Sequence, residues 1–241
     1  TKKKIIIIGT GEQARVTIDN VEEQNKYEIF GLIASDKEKD LSKKVYGYNI
    51  LCTDKDLDEL LQKNRDIKSY VLGLGISVGG SLTHREKIYS NLDNKINSVN
   101  IIHPTANISK RAKIGKGNII ESYTKICNDV VIGNHCLIQS FSSINHDQNI
   151  GHNTMIACNV TLAGKNIGSN TVIAEGSSVG FKKNVGDIRN SPAIEIIKNL
   201  KKIGFINISY YDEFVPKFQL NNNVFKSLKS LEDISSFDCC I

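Results

Sequence analysis

An aliphatic residue recurs at every sixth position through the middle of the chain, and this repeat constrains the fold more strongly than any other sequence feature. The series runs without a gap from residue 102 to residue 162, and it resumes over residues 167–185 after one residue is missing. A chain with this period places one side chain of every hexad on the same axis. The sequence therefore predicts a solenoid of short parallel strands, in which stacked aliphatic side chains fill the interior.

Glycine adds a second, longer period to the repeat. Gly115, Gly133 and Gly151 each follow a repeat isoleucine, and they are spaced eighteen residues apart. Three hexads therefore complete one turn, which predicts a triangular prism with a glycine at the same corner of every turn. Glycine suits such a corner because it tolerates backbone angles that other residues resist.

Residues 2–101 follow a different pattern, in which short aliphatic strands alternate with helical spacing. The first predicted strand is Lys4–Ile8, and Gly9-Thr10-Gly11 follows it directly. In chain order, the pattern then predicts a helix through Ala14, Ile18 and Val21, a strand over 29–33, a helix over 54–61, a strand over 70–74 and a helix over 81–92. This alternation is typical of a small parallel α/β domain.

The Gly-x-Gly turn between the first strand and the first helix is a candidate phosphate site. Such a turn presents free backbone N–H groups and the positive end of the helix dipole to an anion. A tight strand-to-helix turn without a ligand explains the same residues equally well. Asp36, at the end of the second strand, is placed to accept hydrogen bonds from a ribose or a base, although a solvated loop acid is an equal alternative.

The order of these two parts resembles the NeuD/PglD family of bacterial sugar acyltransferases, and the repeat itself resembles the hexapeptide-repeat acyltransferases. The motifs that carry the resemblance outside the repeat are Gly47-Tyr48-Asn49-Ile50, Arg85-Glu86-Lys87-Ile88-Tyr89, Ile102-His103-Pro104 and Ser191-Pro192-Ala193. The resemblance implies a Rossmann-like α/β domain over residues 1–101, a left-handed parallel β-helix over 102–193 and a C-terminal extension over 194–241. The handedness of the β-helix follows only from this resemblance and not from the spacing. The resemblance also implies a homotrimer with sites in the clefts between neighbouring prisms.

In that family the first domain holds a sugar nucleotide and the β-helix holds acetyl-CoA. Carried over by position, the substrate-binding residues are Thr10, Gly11 and Glu12 in the phosphate turn, and Ser35, Asp36 and Gly75 around the ribose or base. Glu12 departs from the family's turn. Its carboxylate repels a pyrophosphate unless it points away from the site.

Acyl transfer from a thioester to an amine or a hydroxyl requires a base for the acceptor's proton and a hydrogen-bond donor for the developing oxyanion. Among five histidines, His146 lies beside Asp147 on the repeat itself. By resemblance, His146 is the general base, Asp147 raises its basicity, and the backbone N–H of Gly164 faces the thioester oxygen. Met155, at a position where the family has a second histidine, and Glu175 are by resemblance the acyl-CoA contacts. The alternative is that His146 only decorates an exposed corner.

Two further departures from the family affect the β-helix. One residue is missing after Gly164, which can shift the oxyanion donor, and about one late coil is absent by repeat counting. A segment from about residue 200 to residue 241 takes its place. This segment carries the aromatic residues Phe205, Tyr210, Tyr211, Phe214 and Phe218.

Charge and composition disfavour several other classes of protein. The chain has 31 Lys and Arg against 26 Asp and Glu, a net charge of +5, but no basic stripe with interleaved aromatics, so nucleic-acid binding is disfavoured. The longest aliphatic run, Ile5–Ile8, is too short to span a bilayer, which predicts a cytoplasmic protein without membrane insertion. The six cysteines show no metal-type spacing, and free thiols without a metal are expected.

The sequence therefore favours an acetyl-CoA-dependent N-acetyltransferase that acts on a nucleotide-linked deoxyamino sugar in bacterial surface-glycan or lipopolysaccharide synthesis. Two alternatives stay open. One is O-acetylation of sialic acid or a related sugar, and the other is a non-catalytic β-helix scaffold whose acyl site has decayed. The sequence does not specify the sugar, the nucleobase or the acyl chain.

Overall fold

The structure is a computed structural model that divides into two compact units, residues 1–180 and residues 181–240. It describes residues 2–38, 40–75, 82–163, 166–179, 194, 196–199, 208, 210–211, 215–220 and 223–228. The first unit contains both the α/β domain and the solenoid predicted above.

The α/β domain is built on a six-stranded sheet. Its strands are β1 Lys3–Ile8, β2 Tyr27–Ala34, β3 Lys44–Val45, β4 Tyr48–Thr53, β5 Ser69–Leu72 and β6 Asn97–Ser98, and its helices are α1 Glu12–Gln24, α2 Leu57–Lys63 and α3 Leu82–Leu92. The strand order is β3-β4-β2-β1-β5-β6, and every pairing is parallel except that of β3 with β4. Each strand and helix predicted from the sequence is present, with bounds that differ by up to a few residues.

The periodicity predicted neither the short strand β6 nor the β3–β4 hairpin. Its two-residue turn is Tyr46-Gly47, and both residues have positive φ, of 48° and 86°. Such turns match the twist of paired strands, and glycine is favoured in them. The hairpin therefore accounts for part of the Gly47–Ile50 motif as local turn chemistry.

The solenoid consists of two-residue strands, and the second residue of each is the predicted repeat aliphatic. The strands are β7 Ile101–Ile102, β8 Asn107–Ile108, β9 Lys113–Ile114, β10 Ile119–Ile120, β11 Lys125–Ile126, β12 Val131–Ile132, β13 Leu137–Ile138, β14 Ser143–Ile144, β15 Asn149–Ile150, β16 Met155–Ile156, β17 Thr161–Leu162, β18 Val172–Ile173 and β19 Ser178–Val179. Ile120, Ile138 and Ile156 are fully buried and stack in register in successive coils. The described strands of the solenoid end at Val179, and residues 180–193 lie outside the described part of the chain.

Three parallel sheets form the sides of the prism. The first sheet contains β7, β10, β13, β16 and β18, the second contains β8, β11, β14, β17 and β19, and the third contains β9, β12 and β15. The chain passes from the first sheet to the second and then to the third in every coil. We name the corners by the sheets that they join: first–second, second–third and third–first.

The glycines of the third–first corner serve a different purpose from the one predicted. Gly115, Gly133 and Gly151 do not have positive φ, so the prediction that they supply unusual backbone angles is wrong. They are needed because the coils stack closely: a Cβ atom on Gly151 would lie 2.3 Å from the backbone nitrogen of Ser169. Positive φ occurs instead at other corner residues, namely Tyr123, Asp129, His135, Phe141, Asp147, Asn153, Asn159 and Asn170, and at Gly117 and Gly176.

The missing residue is absorbed without loss of register in the prism. Ile167 forms a parallel bridge with Ile150 of the coil before it. Val172 and Ile173 then pair with Met155 and Ile156 as the earlier coils do. The shortening is therefore confined to the corner after Leu162.

Helix α1 covers the outer surface of the first sheet. The outward residues of this sheet are apolar, and Ile101, Ile119 and Leu137 are at most 2% exposed. They form one buried cluster with Ala14 and Ile18 of α1. The corresponding positions of the other two sheets include exposed lysines and asparagines, so only the first sheet offers an apolar surface for a helix to bury.

Buried polar contacts from the α3 region hold the third–first corner. Asp93 accepts hydrogen bonds from Tyr70 Oη at 2.6 Å and His135 Nε2 at 2.9 Å, and it pairs with Lys116 Nζ at 3.1 Å. The His135 ring stacks on Tyr89 with centroids 4.0 Å apart. Burial lowers the pKa of His135 and outweighs its bond to Asp93, which favours a neutral ring.

Arg85 makes a second contact with the same corner. Its guanidinium, 2% exposed, donates to the backbone oxygen of His135 at 2.9 Å and to Asn153 Oδ1 at 3.1 Å. It also donates to the backbone oxygen of Leu74. Burial lowers the pKa of Arg85 to about 10, which leaves it charged at neutral pH. The α/β domain and the β-helix are thus joined by both apolar and polar contacts.

The second unit has its own small core. The strands β20 Lys217–Leu220 and β21 Asn223–Lys226 form an antiparallel hairpin. Phe218 and Phe225 stack with centroids 5.1 Å apart and are buried together with Ile197. Of the aromatic residues singled out in this segment, Tyr210 and Phe218 belong to this core, whereas Phe205 and Phe214 lie outside the described residues.

We expect Asp93→Asn to reduce the free energy of unfolding at pH 7 by about 1–3 kcal/mol, because it weakens three hydrogen bonds at a largely buried site. Burial alone would raise the pKa of Asp93, but the bonds from Tyr70, His135 and Lys116 lower it to about 2. Its folded pKa is thus below its unfolded value. The stabilisation is present above about pH 4 and is lost as the pH falls toward 2.

Urea unfolding followed by circular dichroism at several pH values checks this expectation. The difference between wild type and variant should narrow below pH 4. Asp58→Asn is the matched control, since the Asp58 carboxylate is 61% exposed in its ion pair with Lys95 and such pairs contribute at most about 1 kcal/mol. Equal effects of the two substitutions would contradict the assigned role of Asp93.

Candidate active site

The strand order of the α/β sheet reverses next to β1, and sheets of this kind have their ligand-binding crevice at such a point. Strand β1 lies between β2, which follows it through α1, and β5, which the chain reaches after β4. The switch point is therefore between β1 and β5, and ligands bind outside the carboxyl ends of parallel strands at such points. Gly9-Thr10-Gly11 follows β1 there, and Gly73-Leu74-Gly75 follows β5.

The two glycine segments approach each other closely. Gly9 has a φ of +117°, and a Cβ atom on it would lie 2.7 Å from the backbone oxygen of Gly73. A Cβ atom on Gly73 would in turn lie 3.0 Å from Cα of Ala14. Neither position has room for a side chain, so this part of the crevice consists of backbone.

Gly11 faces open space. A Cβ atom on it would have no neighbour within 4 Å, and it is the N-cap of α1 without a side-chain capping bond. The backbone N–H groups at the start of α1 are therefore open to a ligand. Helix N-termini of this kind attract anions through the orphan N–H groups and the helix dipole.

The Glu12 carboxylate points into solvent. Its side chain is 94% exposed, and it lies 4.0 Å from the guanidinium of Arg15. We expected a carboxylate in the turn to repel a bound phosphate. Because the Glu12 carboxylate lies in solvent, that repulsion is weakened. Thr10, Gly11 and Glu12 thus lie together at the mouth of the crevice.

Ser35 and Asp36 follow β2, next to the glycine turn. Asp36 accepts a hydrogen bond from the backbone N–H of Lys55 at 3.2 Å, and Lys55 Nζ lies 3.5 Å from its other oxygen. Asp54 is close by, and its pKa is raised by burial and by the charge of Asp36. The Asp36 side chain is 37% exposed, so it keeps a surface to offer a ligand. Gly75, after β5, is also exposed.

The second–third corner carries the candidate acid–base pair. His146 Nδ1 lies 2.6 Å from Asp147 Oδ2, and the two side chains are 70% and 71% exposed. Asp147 has a φ of +59°, and its N–H donates to the backbone oxygen of Asn128 in the preceding coil. The corner therefore fixes the Asp147 backbone, while buried Ile144 anchors the strand before it. Because Asp147 engages Nδ1, Nε2 of His146 is the ring nitrogen left for proton transfer.

The predicted acyl-CoA contacts are distributed over other sides of the prism. Met155, 6% exposed, lies on the outer surface of the first sheet in the cluster with α1. Glu175 lies in a later coil, near Cys158. Burial is the main cause that raises the pKa of the Cys158 thiol, and the charge of Glu175 adds to it. Gly164 lies outside the described residues. The roles of all three stay predictions.

The structure also brings together residues that sequence reasoning missed. Gln13, in the first turn of α1, donates to Glu121 Oε1 at 2.9 Å and accepts a bond from Gln139 Nε2 at 3.3 Å. Glu121 and Gln139 lie at the first–second corner, in successive coils. No local pattern identifies such a contact, since Gln13 and Glu121 are 108 residues apart.

The remaining histidines have other surroundings. His135 is buried beside Asp93, and His152 Nδ1 accepts the backbone N–H of Asn134 at 2.9 Å. His103 Nδ1 lies 2.8 Å from the Thr105 hydroxyl, and His84 is exposed near the start of α3. Among the described residues, no group of three or more His, Cys, Asp or Glu side chains could hold a metal ion. The described helices also include none that is long and apolar enough to cross a membrane.

Three family models match the chain. The PglD N-terminal domain matches residues 4–92, and the bacterial transferase hexapeptide model, of six repeats, matches residues 111–146. Together, and in this order, they confirm the resemblance to the NeuD/PglD family. The UDP binding domain of the UDP-glucose/GDP-mannose dehydrogenase family matches residues 178–241. This match was not anticipated, and it overlaps the end of the predicted β-helix, including Ser191-Pro192-Ala193.

Solved structures with a similar fold include the perosamine N-acetyltransferase from Caulobacter crescentus. A mutant in complex with CoA and GDP-perosamine shares 19% identity over 73% of this chain and 88% of its own, with a TM-score of 0.59. PerB from the same organism, with the same ligands, shares 19% identity over 73% of this chain and 91% of its own, with a TM-score of 0.52. A search of curated proteins gave no significant match. At this identity the likeness shows the fold, a Rossmann-like domain followed by a left-handed parallel β-helix, as predicted.

We expect Gly9→Ala to destabilise the protein by about 2 kcal/mol or more, because the new Cβ meets the Gly73 carbonyl and the positive φ disfavours alanine. Gly11→Ala is the matched control, with open space around its Cβ and a φ of −82°. It should cost less than about 1 kcal/mol, the effect of a poorer N-cap. Urea unfolding measures both, and equal losses would contradict the packing described for the crevice.

Proposed function

We propose that this chain, which combines the PglD N-terminal domain with the hexapeptide β-helix of the NeuD/PglD family, is an acetyl-CoA-dependent sugar N-acetyltransferase. Its acceptor is a nucleotide-linked deoxyamino sugar, and its product serves bacterial surface-glycan synthesis in the cytoplasm. The single observation that carries the proposal is the His146–Asp147 pair on the β-helix, in a chain whose α1 N-terminus is also open at Gly11.

His146 acts as the general base. The bond from Nδ1 to Asp147 directs the free electron pair of Nε2 away from the corner and stabilises the imidazolium that forms. Nε2 takes a proton from the acceptor nitrogen as that nitrogen attacks the thioester carbon, and the proton then passes to the leaving thiolate. Each group returns to its starting state at the end of the cycle.

The α/β crevice holds the nucleotide. The N–H groups at Thr10, Gly11 and Glu12 bind phosphate oxygens, which need donors rather than a fixed cation. Ser35 and Asp36 bind the ribose or the base, and Gly75 allows a close approach on the other side of the crevice. This assignment is supported by the switch-point position of the two glycine segments.

The acyl donor lies along the β-helix. Gly164 provides the oxyanion donor and Glu175 a polar contact. Exposed as it is in one chain, His146 needs a neighbouring surface to exclude water, and a homotrimer with clefts between β-helices supplies it. The structures with CoA or GDP-perosamine bound to proteins of this fold support both ligand classes.

Two alternatives predict different binding behaviour. An O-acetyltransferase of sialic acid or a related free sugar has no need of a nucleotide in the α/β crevice, so it would bind no GDP and no UDP beyond the one molecule of the second unit proposed below. A non-catalytic scaffold would form its oligomer but bind no acyl-CoA. Calorimetric titration of the full chain with UDP, GDP and CoA separates the three functions.

The match over residues 178–241 favours a second nucleotide site. The matched family domain is a UDP binding domain, and we propose that the second unit of this chain binds UDP independently of the α/β crevice. Calorimetry of the full chain should then give two UDP molecules per chain if the crevice also takes UDP. If the crevice takes GDP, one UDP and one GDP should bind without competition. Absence of UDP binding in the presence of GDP would contradict the second site.

We expect His146→Ala to reduce kcat by about 10²–10⁴-fold, the range typical of a lost general base. The melting temperature should stay unchanged, because the side chain is 70% exposed and lies outside the core. CoA release, followed with a thiol reagent on a panel of UDP- and GDP-linked amino sugars, provides the measurement. His152→Asn is the control, since asparagine keeps an acceptor for the Asn134 N–H. An undiminished rate of His146→Ala would refute the mechanism.

A further inference from the structure

The first turn of α1 is attached to the β-helix by the side chain of Gln13. Its Nε2 donates to Glu121 Oε1 at 2.9 Å, and its Oε1 accepts from Gln139 Nε2 at 3.3 Å. Both ends of the amide are therefore engaged. A primary amide bonded at both ends has one favoured orientation, since a flip would place donor against donor and acceptor against acceptor.

Glu121 is a firm anchor for this amide. It is 3% exposed, and its second oxygen accepts bonds from the backbone N–H and the hydroxyl of Ser140, both at 3.2 Å. A buried carboxylate with three donors is held in place, because losing any of them exposes the charge to an apolar interior. Ser140 and Gln139 belong to the next coil, so the anchor spans two coils of the rigid prism.

Gln13 also touches the other side of the crevice. A Cβ atom on Gly75 would lie 3.2 Å from Cβ of Gln13, so Gly75 packs against this side chain. Gln13 thus lies between the turn after β1, the segment after β5 and the β-helix. A change in its position moves both glycine segments that form the crevice.

We infer that Gln13, Glu121 and Gln139 are positioning residues that hold the phosphate-binding turn at a fixed place on the β-helix. This inference rests on the proposed function, because it takes the nucleotide phosphate to lie at Thr10–Glu12. The coil that provides Gln139 continues to His146 at its next corner. These three side chains, which we call the tether, therefore connect the nucleotide turn to the same rigid coil that carries the proposed base.

Adding a negative charge at residue 13 tests the pair. Gln13→Glu places a carboxylate within hydrogen-bond distance of Glu121, and the repulsion should raise the Kd for the nucleotide at least about tenfold. Adding Glu121→Gln restores a complementary pair, since the new amide donates to residue 13 and still accepts from Ser140. The double variant should bind the nucleotide within about threefold of wild type, as coupled neighbours do when their interaction is restored.

The measurements separate positioning from folding. Calorimetry with UDP and with GDP gives the Kd, and steady-state kinetics give KM for the sugar nucleotide and for acetyl-CoA. The KM for the nucleotide sugar should rise while the KM for acetyl-CoA stays within about twofold, because the tether lies on the α/β side. Gln62→Glu, the same change at an exposed position of α2, is the matched control. If Gln13→Glu does not fold, Gln13→Ala removes the tether without adding charge and should weaken nucleotide binding about three- to tenfold.

The outcomes distinguish this inference from the proposed function. If wild type binds neither UDP nor GDP, the proposed nucleotide site fails and the tether fails with it. If wild type binds a nucleotide beyond the one UDP of the second unit, and Gln13→Glu and Gln13→Ala bind that nucleotide equally well, the tether alone is overturned. A weakened Gln13→Glu that Glu121→Gln does not rescue overturns the pairing as well.

Discussion

The apolar outer surface of the first β-helix sheet is the constraint on which the arrangement of the first unit depends. Each coil can bury its inward aliphatic residue only against the next coil, which explains the prism but leaves its outer surfaces free. Two of them carry exposed lysines and asparagines. The first sheet presents Ile119 and Leu137, which are buried under α1. Because the removal of apolar surface from water is the main force that drives such contacts, this surface determines where the α/β domain sits, and with it the N-terminus of α1.

Apolar burial has no direction, so it does not by itself set the rotation of α1 on the sheet. The polar contacts do, and they lie at the two corners that border the first sheet. At the first–second corner Gln13 meets Glu121, and at the third–first corner Arg85 and Asp93 meet the backbone and ring of His135. Hydrogen bonds weaken steeply as the angle at the hydrogen departs from a straight line. Two sets on opposite sides of one apolar contact therefore hold the crevice in a single orientation relative to the prism.

The repeat predicted the β-helix almost residue by residue, because an inward position in a solenoid depends only on the period, and each strand ends on its expected aliphatic. It could not reveal why the corner glycines are needed. Gly151 is required by contact with a neighbouring coil rather than by its own backbone angles. Both causes would give the same eighteen-residue spacing of glycines, so the sequence does not distinguish them. The role of Gln13 was hidden as well. Its partner Glu121 is 108 residues away, so no local spacing shows the contact.

The histidines at different corners of the prism have different surroundings. His135 and His152 lie at the third–first corner, where one is buried by the α3 region and the other accepts a backbone N–H. His146 lies at the second–third corner, the one corner that does not border the covered sheet. The glycine turn adjoins the first–second corner through Gln13, so the turn and the base lie at corners separated by one side of the prism. In the proposed homotrimer, the turn of one chain and the base of its neighbour would meet where two prisms lie side by side, and that contact would cover His146, which is 70% exposed in a single chain.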